Sequence, residues 1–446
     1  MQLIHHGGHD GVTGSCHQLR FDSGQSILVD CGLFQGDDAR RHPRLEIDFD
    51  LAGIEALVLT HVHIDHVGRL PYLLAAGFEG PIYCSEPTAF MLPLTMEDAI
   101  KIGFTRKQRM VDAFLETLES RLRPIGYGSW VEIMEDVRIR LSPAGHILGS
   151  AYVEVDHLDR RVVFSGDLGA PHAPLLKDPV SPEKADVLIL ESTYGDKEHQ
   201  GREERQATLE RVLRKTLENR GVTIIPAFSL GRTQELLYEM NAIFERLHRE
   251  ESREILRSVD VIVDSPLAAR FTEIYEKLQP FWDDEAQQVL RYDDQPLVFE
   301  NLTTIVDHDE HESTLAYLQR TELPAIVLAG SGMCTGGRVV NYLKQLIGLE
   351  STDVLFVGYQ GAGTPGRDIQ AGKKRVELDG EVYQVEASVH TLSGYSAHAD
   401  QADLLRFVAG MSTPPEEIVL VHGEEEPKRR LAVELARRGL NVRSPH

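Results

Sequence analysis

Four side chains that can bind a metal ion lie within a six-residue run near the N-terminus. His61, His63, Asp65 and His66 follow an apolar segment, residues 56–60, that is predicted to be a buried strand. Because one residue separates His61 from His63, a chain leaving that strand can direct both imidazoles at one ion. Asp65 and His66 begin a helical pattern and point elsewhere, which indicates a second position. Mixed imidazole and carboxylate ligands suit zinc, and manganese or iron less well. The run therefore predicts a metal centre rather than a solvated histidine-rich loop.

Further candidate ligands occur where other predicted strands end. His146 occupies a turn between two strand-like runs, and Asp167 directly follows an apolar strand. Either residue alone would more often be an ordinary solvated side chain. Together with the first run, His146 can complete one site, and Asp167 can bridge to a second ion held by Asp65 and His66. His422, at the end of a late buried strand, can complete that second site.

Length and composition limit the class of protein. A chain of 446 residues exceeds what one hydrophobic core usually supports, so two domains or one interrupted domain are expected. No stretch has the length of a membrane span, no signal peptide is evident, and the four cysteines are scattered, so we expect a cytoplasmic protein with reduced thiols and no membrane partner. The net charge of −24 argues against nonspecific binding to a polyanion. It does not exclude an enzyme that holds phosphates through metal ions.

Strand-like and helical patterns alternate along the chain. Strands are predicted at residues 26–30, 56–60, 151–155, 161–165 and 187–191. After a helix at 202–219, the strands at 222–226, 259–263 and 325–329 alternate with helices, which predicts a separate α/β layer with a parallel sheet. A strand at 418–423 and a helix at 427–438 follow near the end. The glycine-rich segment 358–366 is the best candidate for a hinge or boundary.

The order of these motifs resembles that of the metallo-β-lactamase fold. The matching motifs are residues 28–32, the 61–66 run, and the turns around His146 and Asp167. Three later segments, residues 191–195, 394–400 and 421–424, resemble motifs of the β-CASP branch, which acts on nucleic acids. The resemblance covers essentially the whole chain and implies an α/β architecture. Residues 1–197 and 376–446 would form a four-layer αββα sandwich, interrupted at residues 198–375 by a β-CASP domain, with substrate entering between the two.

The resemblance also implies roles for individual side chains. Asp30 would support the loop that carries residues 61–66 without binding a metal itself. Asp65 would help to orient a hydroxide nucleophile held between two zinc ions. His398 would protonate the leaving 3′ oxygen, a contribution of about 10²–10⁴ in rate, while Glu191 holds its other ring nitrogen. A histidine at the position of His422 is associated with RNA substrates, whereas DNA-repair members carry an apolar residue there.

Contacts to phosphate are expected from the inserted domain. A glycine-rich turn at residues 330–338 follows a predicted strand and opens a helix, and the backbone N–H groups at such a helix start bind anions. The candidate RNA-contacting residues are Ser331, Gly332, Gly336, Arg232 and Ser396. For Arg232, a salt bridge at a helix start is nearly as good an interpretation. The acidic, histidine-rich residues 307–312 match no ligand motif and are interpreted as a solvated loop.

The principal hypothesis is a zinc-dependent ribonuclease that hydrolyses phosphodiester bonds in RNA processing or decay, with manganese as an alternative metal. Endonuclease action, 5′→3′ exonuclease action, a monomer and a homodimer are all left open. The chain is most similar to the short bacterial and archaeal β-CASP ribonucleases. One alternative is a noncatalytic RNA-binding scaffold, although such members usually lose ligands. Another is a nuclease or phosphodiesterase of the same fold that acts on DNA or small phosphodiesters.

Overall fold

The structure is a computed structural model that describes residues 1–199, 202–250, 259–321 and 323–443. Contacts within the chain divide it into two compact units. The first unit comprises Met1–Pro171, Leu176–Glu198 and His398–His446, and the second comprises His172–Leu175 and His199–Ala397. The first unit is thus assembled from segments far apart in sequence, as expected for an interrupted domain.

Two sheets form the centre of the first unit. The first has six strands in spatial order β1 (Gln2–Gly7), β2 (Cys16–Arg20), β3 (Ser26–Val29), β4 (Ile54–Val58), β5 (Ile82–Ser85) and β6 (Leu122–Ile125). The second consists of β7 (Val131–Met134), β8 (Val137–Pro143), β9 (Ala151–His157), β10 (Arg160–Phe164), β11 (Val187–Glu191), β20 (Glu417–Val421) and β21 (Val442–Arg443). Its spatial order is β21-β20-β11-β10-β9-β8-β7, so the chain returns to this sheet at its end.

The first unit also contains helices. They are α1 (Gly36–Arg41), α2 (Ile64–Val67), α3 (Leu70–Ala75), α4 (Glu86–Gly103), α5 (Gln108–Arg121), α13 (Gln401–Ala409) and α14 (Glu425–Arg437). Between the sheets, Ile27 and Val58 of the first belong to one core with Val153 and Phe164 of the second. On the other face of the second sheet, Leu188 packs in a core with residues of α13 and α14, and α4 contacts β5 and β6 on the first. The predicted αββα sandwich is confirmed.

The second unit contains a six-stranded sheet in the order β14-β13-β15-β12-β16-β19, in which every neighbouring pair is parallel. Its strands are β12 (Val222–Pro226), β13 (Asp260–Asp264), β14 (Leu302–Ile305), β15 (Ala325–Ala329), β16 (Asp353–Phe356) and β19 (Ser388–Thr391). β12 and β15 are buried along their whole length, which is typical of a parallel sheet covered on both faces. The predicted parallel sheet is confirmed.

Helices and one hairpin complete the second unit. The helices are α6 (Arg202–Asn219), α7 (Arg232–Glu250), α8 (Pro266–Lys277), α9 (Asp284–Val289), α10 (His308–Thr321), α11 (Arg338–Leu346) and α12 (Pro365–Gln370), with 3₁₀ turns at Gln279–Phe281 and Ser393–Tyr395. The antiparallel hairpin is β17 (Arg375–Leu378) and β18 (Glu381–Gln384). Apolar residues of α11, including Val339 and Leu343, share a core with the sheet.

Three features differ from the sequence-based expectations. Residues 376–397 belong to the second unit rather than the first, because β19 extends its parallel sheet by pairing with β16. The glycine-rich segment 358–366 lies inside that unit, where the Gln360 side chain donates to the Gly332 carbonyl, and does not mark its limit. Residues 308–312 begin α10 instead of forming a solvated loop, since His311 is buried with its Nδ1 2.6 Å from Asp264.

The four cysteines are free thiols, as the sequence predicts, and all are buried. Within the described ranges, no helix is both long enough and apolar enough to cross a membrane.

Candidate active site

The predicted metal ligands lie where strands of the first unit end. The chain leaves β4 at Val58 and presents His61 and His63 before α2, which carries Asp65 and His66. His146 lies in the turn between β8 and β9, Asp167 follows β10, and His422 follows β20. Each candidate ligand therefore lies in a segment that directly follows a strand of the first unit, and these segments meet at one site.

The first group of ligands consists of His61, His63, His146 and Asp167, whose ligand atoms all lie within 4.8 Å of one another. The Nε2 of His146 is 3.0 Å from the Nδ1 of His63. The Oδ2 of Asp167 is 3.5 Å from the Nε2 of both His61 and His146. Three imidazoles and one carboxylate thus converge on a single point, as the sequence predicts.

The second group consists of Asp65, His66 and His422. The Nε2 atoms of His66 and His422 are 3.2 Å apart, and the Oδ2 of Asp65 is 3.4 Å from the Nε2 of His422. The other oxygen of Asp167, Oδ1, lies 3.2 Å from His66 and 3.4 Å from His422. Asp167 therefore presents one oxygen to each group, which is the placement expected of a bridging ligand.

The chemistry of this donor set fits divalent cations. The Nε2 of His61 and the Oδ1 of Asp167 are buried and have no hydrogen bond of good geometry among the described residues. Burial holds the pKa of His61 well below its usual value and lowers that of His63 to about 4, so both keep the lone pair that a metal requires. Burial alone would raise the pKa of Asp167, but the histidines around it, led by His422 and His66, hold that pKa well below its usual range.

Two histidines of the second group, His66 and His422, are oriented by hydrogen bonds on the side away from the site. Asp30 accepts hydrogen bonds from the Nδ1 of His66 at 2.7 Å and from the amide and hydroxyl of Thr60 at 2.8 Å each. The Thr193 hydroxyl donates to the carbonyl of His422 at 3.1 Å and lies 3.1 Å from its Nδ1, from which it can accept. Both contacts leave Nε2 of the histidine directed at the site.

Asp30 was expected in this role, whereas Thr60 and Thr193 were not identified from the sequence. The available signal was their position, since Thr60 directly precedes His61 and Thr193 follows Glu191 by two residues. A small hydroxyl side chain beside a ligand motif is common, so the spacing alone does not distinguish an orienting threonine from a solvated one.

His398 and Glu191 meet at the edge of the metal ligands. The Nδ1 of His398 lies 3.2 Å from both carboxylate oxygens of Glu191, which is itself held by the amides of Leu168 at 2.8 Å and Thr193 at 3.3 Å. Burial lowers the pKa of His398, but Glu191 and Asp167 outweigh it and raise the pKa to about 9. The two carboxylates therefore favour the cationic form of the ring, and Glu191 anchors it through Nδ1.

Comparison with known proteins shows which family this chain belongs to. Residues 9–224 match the metallo-beta-lactamase superfamily, residues 233–369 the Beta-Casp domain, and residues 382–445 the Zn-dependent metallo-hydrolase RNA specificity domain. The chain is also 36% identical over 448 residues to Ribonuclease TTHA0252 of Thermus thermophilus. This match covers 99% of this chain and 97% of that protein. The chain belongs to the β-CASP family of the metallo-β-lactamase superfamily.

Archaeal proteins are also similar to this β-CASP chain. It is 30% identical to the transcription termination factor FttA of Methanocaldococcus jannaschii, over 94% of this chain and 66% of that one. The identity to FttA of Methanothermobacter thermautotrophicus is 31%, over 97% and 68% of the two chains. The crystal structure of a protein of unknown function from Enterococcus faecalis covers 100% of this chain with a TM-score of 0.55 at 15% identity, which shows the fold alone.

The residues predicted to contact phosphate lie in the second, β-CASP unit. Ser331, Gly332 and Gly336 lie in the loop between β15 and α11, where the Ser331 hydroxyl accepts a hydrogen bond from the Thr335 amide at 3.0 Å. No side chain caps the N-terminus of α11 at Gly337. The contact of this loop with RNA therefore stays a prediction.

Arg232 and Ser396 are placed differently from the loop residues. The Arg232 guanidinium pairs with Glu235, one turn further along α7, and the residue is only 6% exposed. The geometry thus favours the salt-bridge interpretation of Arg232 over a phosphate contact. Ser396 follows the 3₁₀ turn at Ser393–Tyr395 and is buried.

Proposed function

We propose that this β-CASP protein is a metal-dependent ribonuclease that hydrolyses RNA phosphodiester bonds in RNA processing or decay. The observation that carries the proposal is the complete set of seven ligand side chains beside the His398–Glu191 pair. The similarity of one relative named a ribonuclease supports it, and the match of residues 382–445 to an RNA specificity domain favours RNA over DNA. A noncatalytic scaffold would not need to retain every ligand together with an acid.

Two positions would hold the cations. One would be bound by His61, His63, His146 and Asp167, and the other by Asp65, His66, His422 and the second oxygen of Asp167. When bound there, zinc ions, or manganese as the alternative, supply an activated water nucleophile at neutral pH and positive charge for the phosphate oxygens.

The chain's own residues would complete the reaction. Because Glu191 occupies the Nδ1 of His398, the Nε2 is the nitrogen that can give a proton to the leaving 3′ oxygen. Glu191 would favour the protonated ring, since its carboxylate is the strongest of the charges that raise the pKa of His398 against the effect of burial. Asp65 would accept a hydrogen bond from the attacking water and orient it toward phosphorus.

The test is digestion of 5′-labelled RNA, carrying a monophosphate or a triphosphate, beside DNA of the same sequence. We expect cleavage of RNA and not of DNA, and a ladder or discrete products will distinguish endonuclease from 5′→3′ exonuclease action. His398→Asn should lose about 10²–10⁴ in rate while retaining the parental metal content. The control is His308→Asn, an exposed histidine of α10.

Two results would contradict the proposal. One is full ribonuclease activity in the His398→Asn protein, and the other is fewer than one tightly bound transition metal per chain. The metal content of His398→Asn also separates two roles, because the ligand atoms of His398, Asp167 and His422 lie within 4.8 Å of one another. Loss of one metal ion per chain would identify His398 as a ligand instead of the acid.

A further inference from the structure

Residues 101–110 form a patch of unusual composition on the first unit, which we call the 101–110 patch. Four of its ten residues, Lys101, Arg106, Lys107 and Arg109, are basic and none is acidic, although the whole chain carries a net charge of −24. Lys101 pairs with Glu97 of α4 at 2.6 Å, so the other three carry the positive charge of the patch. The patch spans the end of α4, a short loop and the beginning of α5. A local concentration of positive charge in so acidic a protein indicates a surface for an anionic partner.

The side chains of this patch are available to such a partner. Arg106, Lys107 and Arg109 are exposed, and their side chains make no ion pair or hydrogen bond within the described part of the chain. Phe104 is 47% exposed beside them, and Met110 is 56% exposed. Free guanidinium and ammonium groups beside an exposed aromatic ring are the combination with which proteins bind single-stranded nucleic acid, through phosphates and base stacking.

Helix α4 connects this patch to the candidate active site. At its N-terminal end, the hydroxyls of Ser85 and Thr88 donate to the carbonyl of Gly149, in the turn that carries His146, at 2.6 and 3.0 Å. At its C-terminal end, α4 reaches the patch at Gly103. With a rise of 1.5 Å per residue, the fifteen residues from Thr88 to Gly103 span roughly 22 Å. At 3.4 Å per stacked nucleotide, this distance corresponds to about seven nucleotides.

We propose that the 101–110 patch binds single-stranded RNA about seven nucleotides from the scissile phosphate, with its basic side chains on phosphates and Phe104 stacked on a base. The inference rests on the proposed ribonuclease function, because that function places an RNA strand at the ligand turn beside α4. It names a contact that the ligand set does not supply, and it reconciles RNA binding with a net charge of −24.

The first test removes the charge. The triple variant Arg106→Gln, Lys107→Gln, Arg109→Gln changes the net charge from −24 to −27, since three positive charges are lost. Its control, Arg429→Gln, Arg430→Gln, Arg437→Gln, removes the same charge from ion-paired arginines of α14. Binding of a fluorescent RNA is measured by anisotropy at several salt concentrations, with each triple placed in the slow-cutting His398→Asn background.

The expected result depends on RNA length. For an RNA of about 30 nucleotides, loss of three phosphate contacts should make the negative slope of log affinity against log salt shallower by about 2, since each contact to a single strand contributes about −0.7 to it. For an RNA of about six nucleotides, too short to span the distance, the slope should not change. The α14 control should keep the parental slope with both RNAs.

The second test removes the ring. Phe104→Ala should weaken binding of the longer RNA roughly 5- to 150-fold, the loss expected when one stacked base is released, whereas Phe104→Tyr should restore it. Because Phe104 also contacts Tyr72, with ring centroids 4.6 Å apart, the thermal midpoint of each variant is measured as well. A fold-change that Tyr fails to rescue would count against stacking.

The outcomes separate the two proposals. If the parent cleaves neither RNA, the ribonuclease function fails, whatever the patch binds. If the parent cleaves RNA but the basic triple leaves the salt slope of the longer RNA unchanged, the patch inference alone is overturned. An equal loss for both RNA lengths would also overturn it, because the contact would then lie at the active site and not several nucleotides away.

Discussion

Replacing Asp30 with asparagine should weaken the second metal position without removing a ligand. Asp30 accepts three hydrogen bonds, one from the Nδ1 of His66 and two from Thr60. Asparagine has a single carbonyl oxygen, so in either orientation its NH₂ group faces a donor, the His66 ring or the Thr60 amide. A buried donor left without a partner costs about 1–3 kcal/mol.

The magnitude separates into two parts. In the metal-free protein, Asp30→Asn should lower the free energy of unfolding by about 1–3 kcal/mol through the unpaired donor alone. Loss of an outer hydrogen-bond partner typically weakens metal binding about 10- to 100-fold. With zinc in excess over both dissociation constants, this weakening removes a further 1.4–2.7 kcal/mol or so from the folded state. The variant should therefore be destabilised more with zinc than without it.

The assay is urea unfolding with and without excess zinc, together with zinc titration against a chromophoric chelator. Asp159→Asn is the matched control, because it removes the same charge from an exposed turn between β9 and β10. If Asp30→Asn binds two zinc ions with parental affinity, or loses equal stability with and without zinc, then Asp30 does not act through His66 and this reasoning is refuted.

Three further outcomes follow from the geometry. Thr193→Val should weaken zinc binding about 10- to 100-fold in a chelator competition, because the Nδ1 of His422 loses its partner, and Thr193→Ser should restore it. Burial lowers the pKa of Lys428 to about 8. Between about pH 8 and pH 10.5 the unfolded chain therefore binds more protons than the folded one, so the parent gains stability as pH rises. Lys428→Met should be more stable than the parent in urea unfolding, and this advantage should shrink as pH rises through that window. Gly32→Ala would place a Cβ 1.5 Å from the Asp65 carbonyl oxygen. It should therefore lower the free energy of unfolding in urea by about 1–3 kcal/mol or more and displace the loop that carries residues 61–66. The control Gly126→Ala has open space around the new Cβ and should be neutral.

The candidate ligands could be identified from the sequence because each lies in a recognisable local pattern. The spacing of four residues predicts a metal site: His61, His63, Asp65 and His66. Asp167 and His422 each follow an apolar run that composition predicts to be a buried strand. The parallel sheet of the second unit followed in the same way, since the run at 222–226 is apolar enough to identify a strand buried on both faces. These features depend on neighbours in the chain, which a sequence displays directly. The αββα sandwich, in contrast, was expected from the family resemblance.

The features that were missed depend on partners distant in sequence. β19 joins the second unit because Asp353 pairs in register with Ser388, and nothing within residues 376–397 specifies that partner. The burial of His311 likewise depends on Asp264, forty-seven positions earlier, which neutralises the cost of placing an imidazole in the core. A polar, histidine-rich segment considered by itself favours solvent, so the local interpretation was wrong for a physical reason.

Two residues of the ligand cluster have a backbone conformation that favours glycine. Asp30 and His422, the residues that follow the buried strands β3 and β20, have positive φ angles of 62° and 49°. Glycine adopts this left-handed conformation freely, whereas other residues incur a cost of about 1–3 kcal/mol that persists only where the surroundings impose it. Both side chains contact His66, at 2.7 Å from its Nδ1 and 3.2 Å from its Nε2. The backbone conformation alone would favour glycine at both positions. Their side chains are therefore required by the site, and at these two residues that requirement outweighs the preference of the backbone.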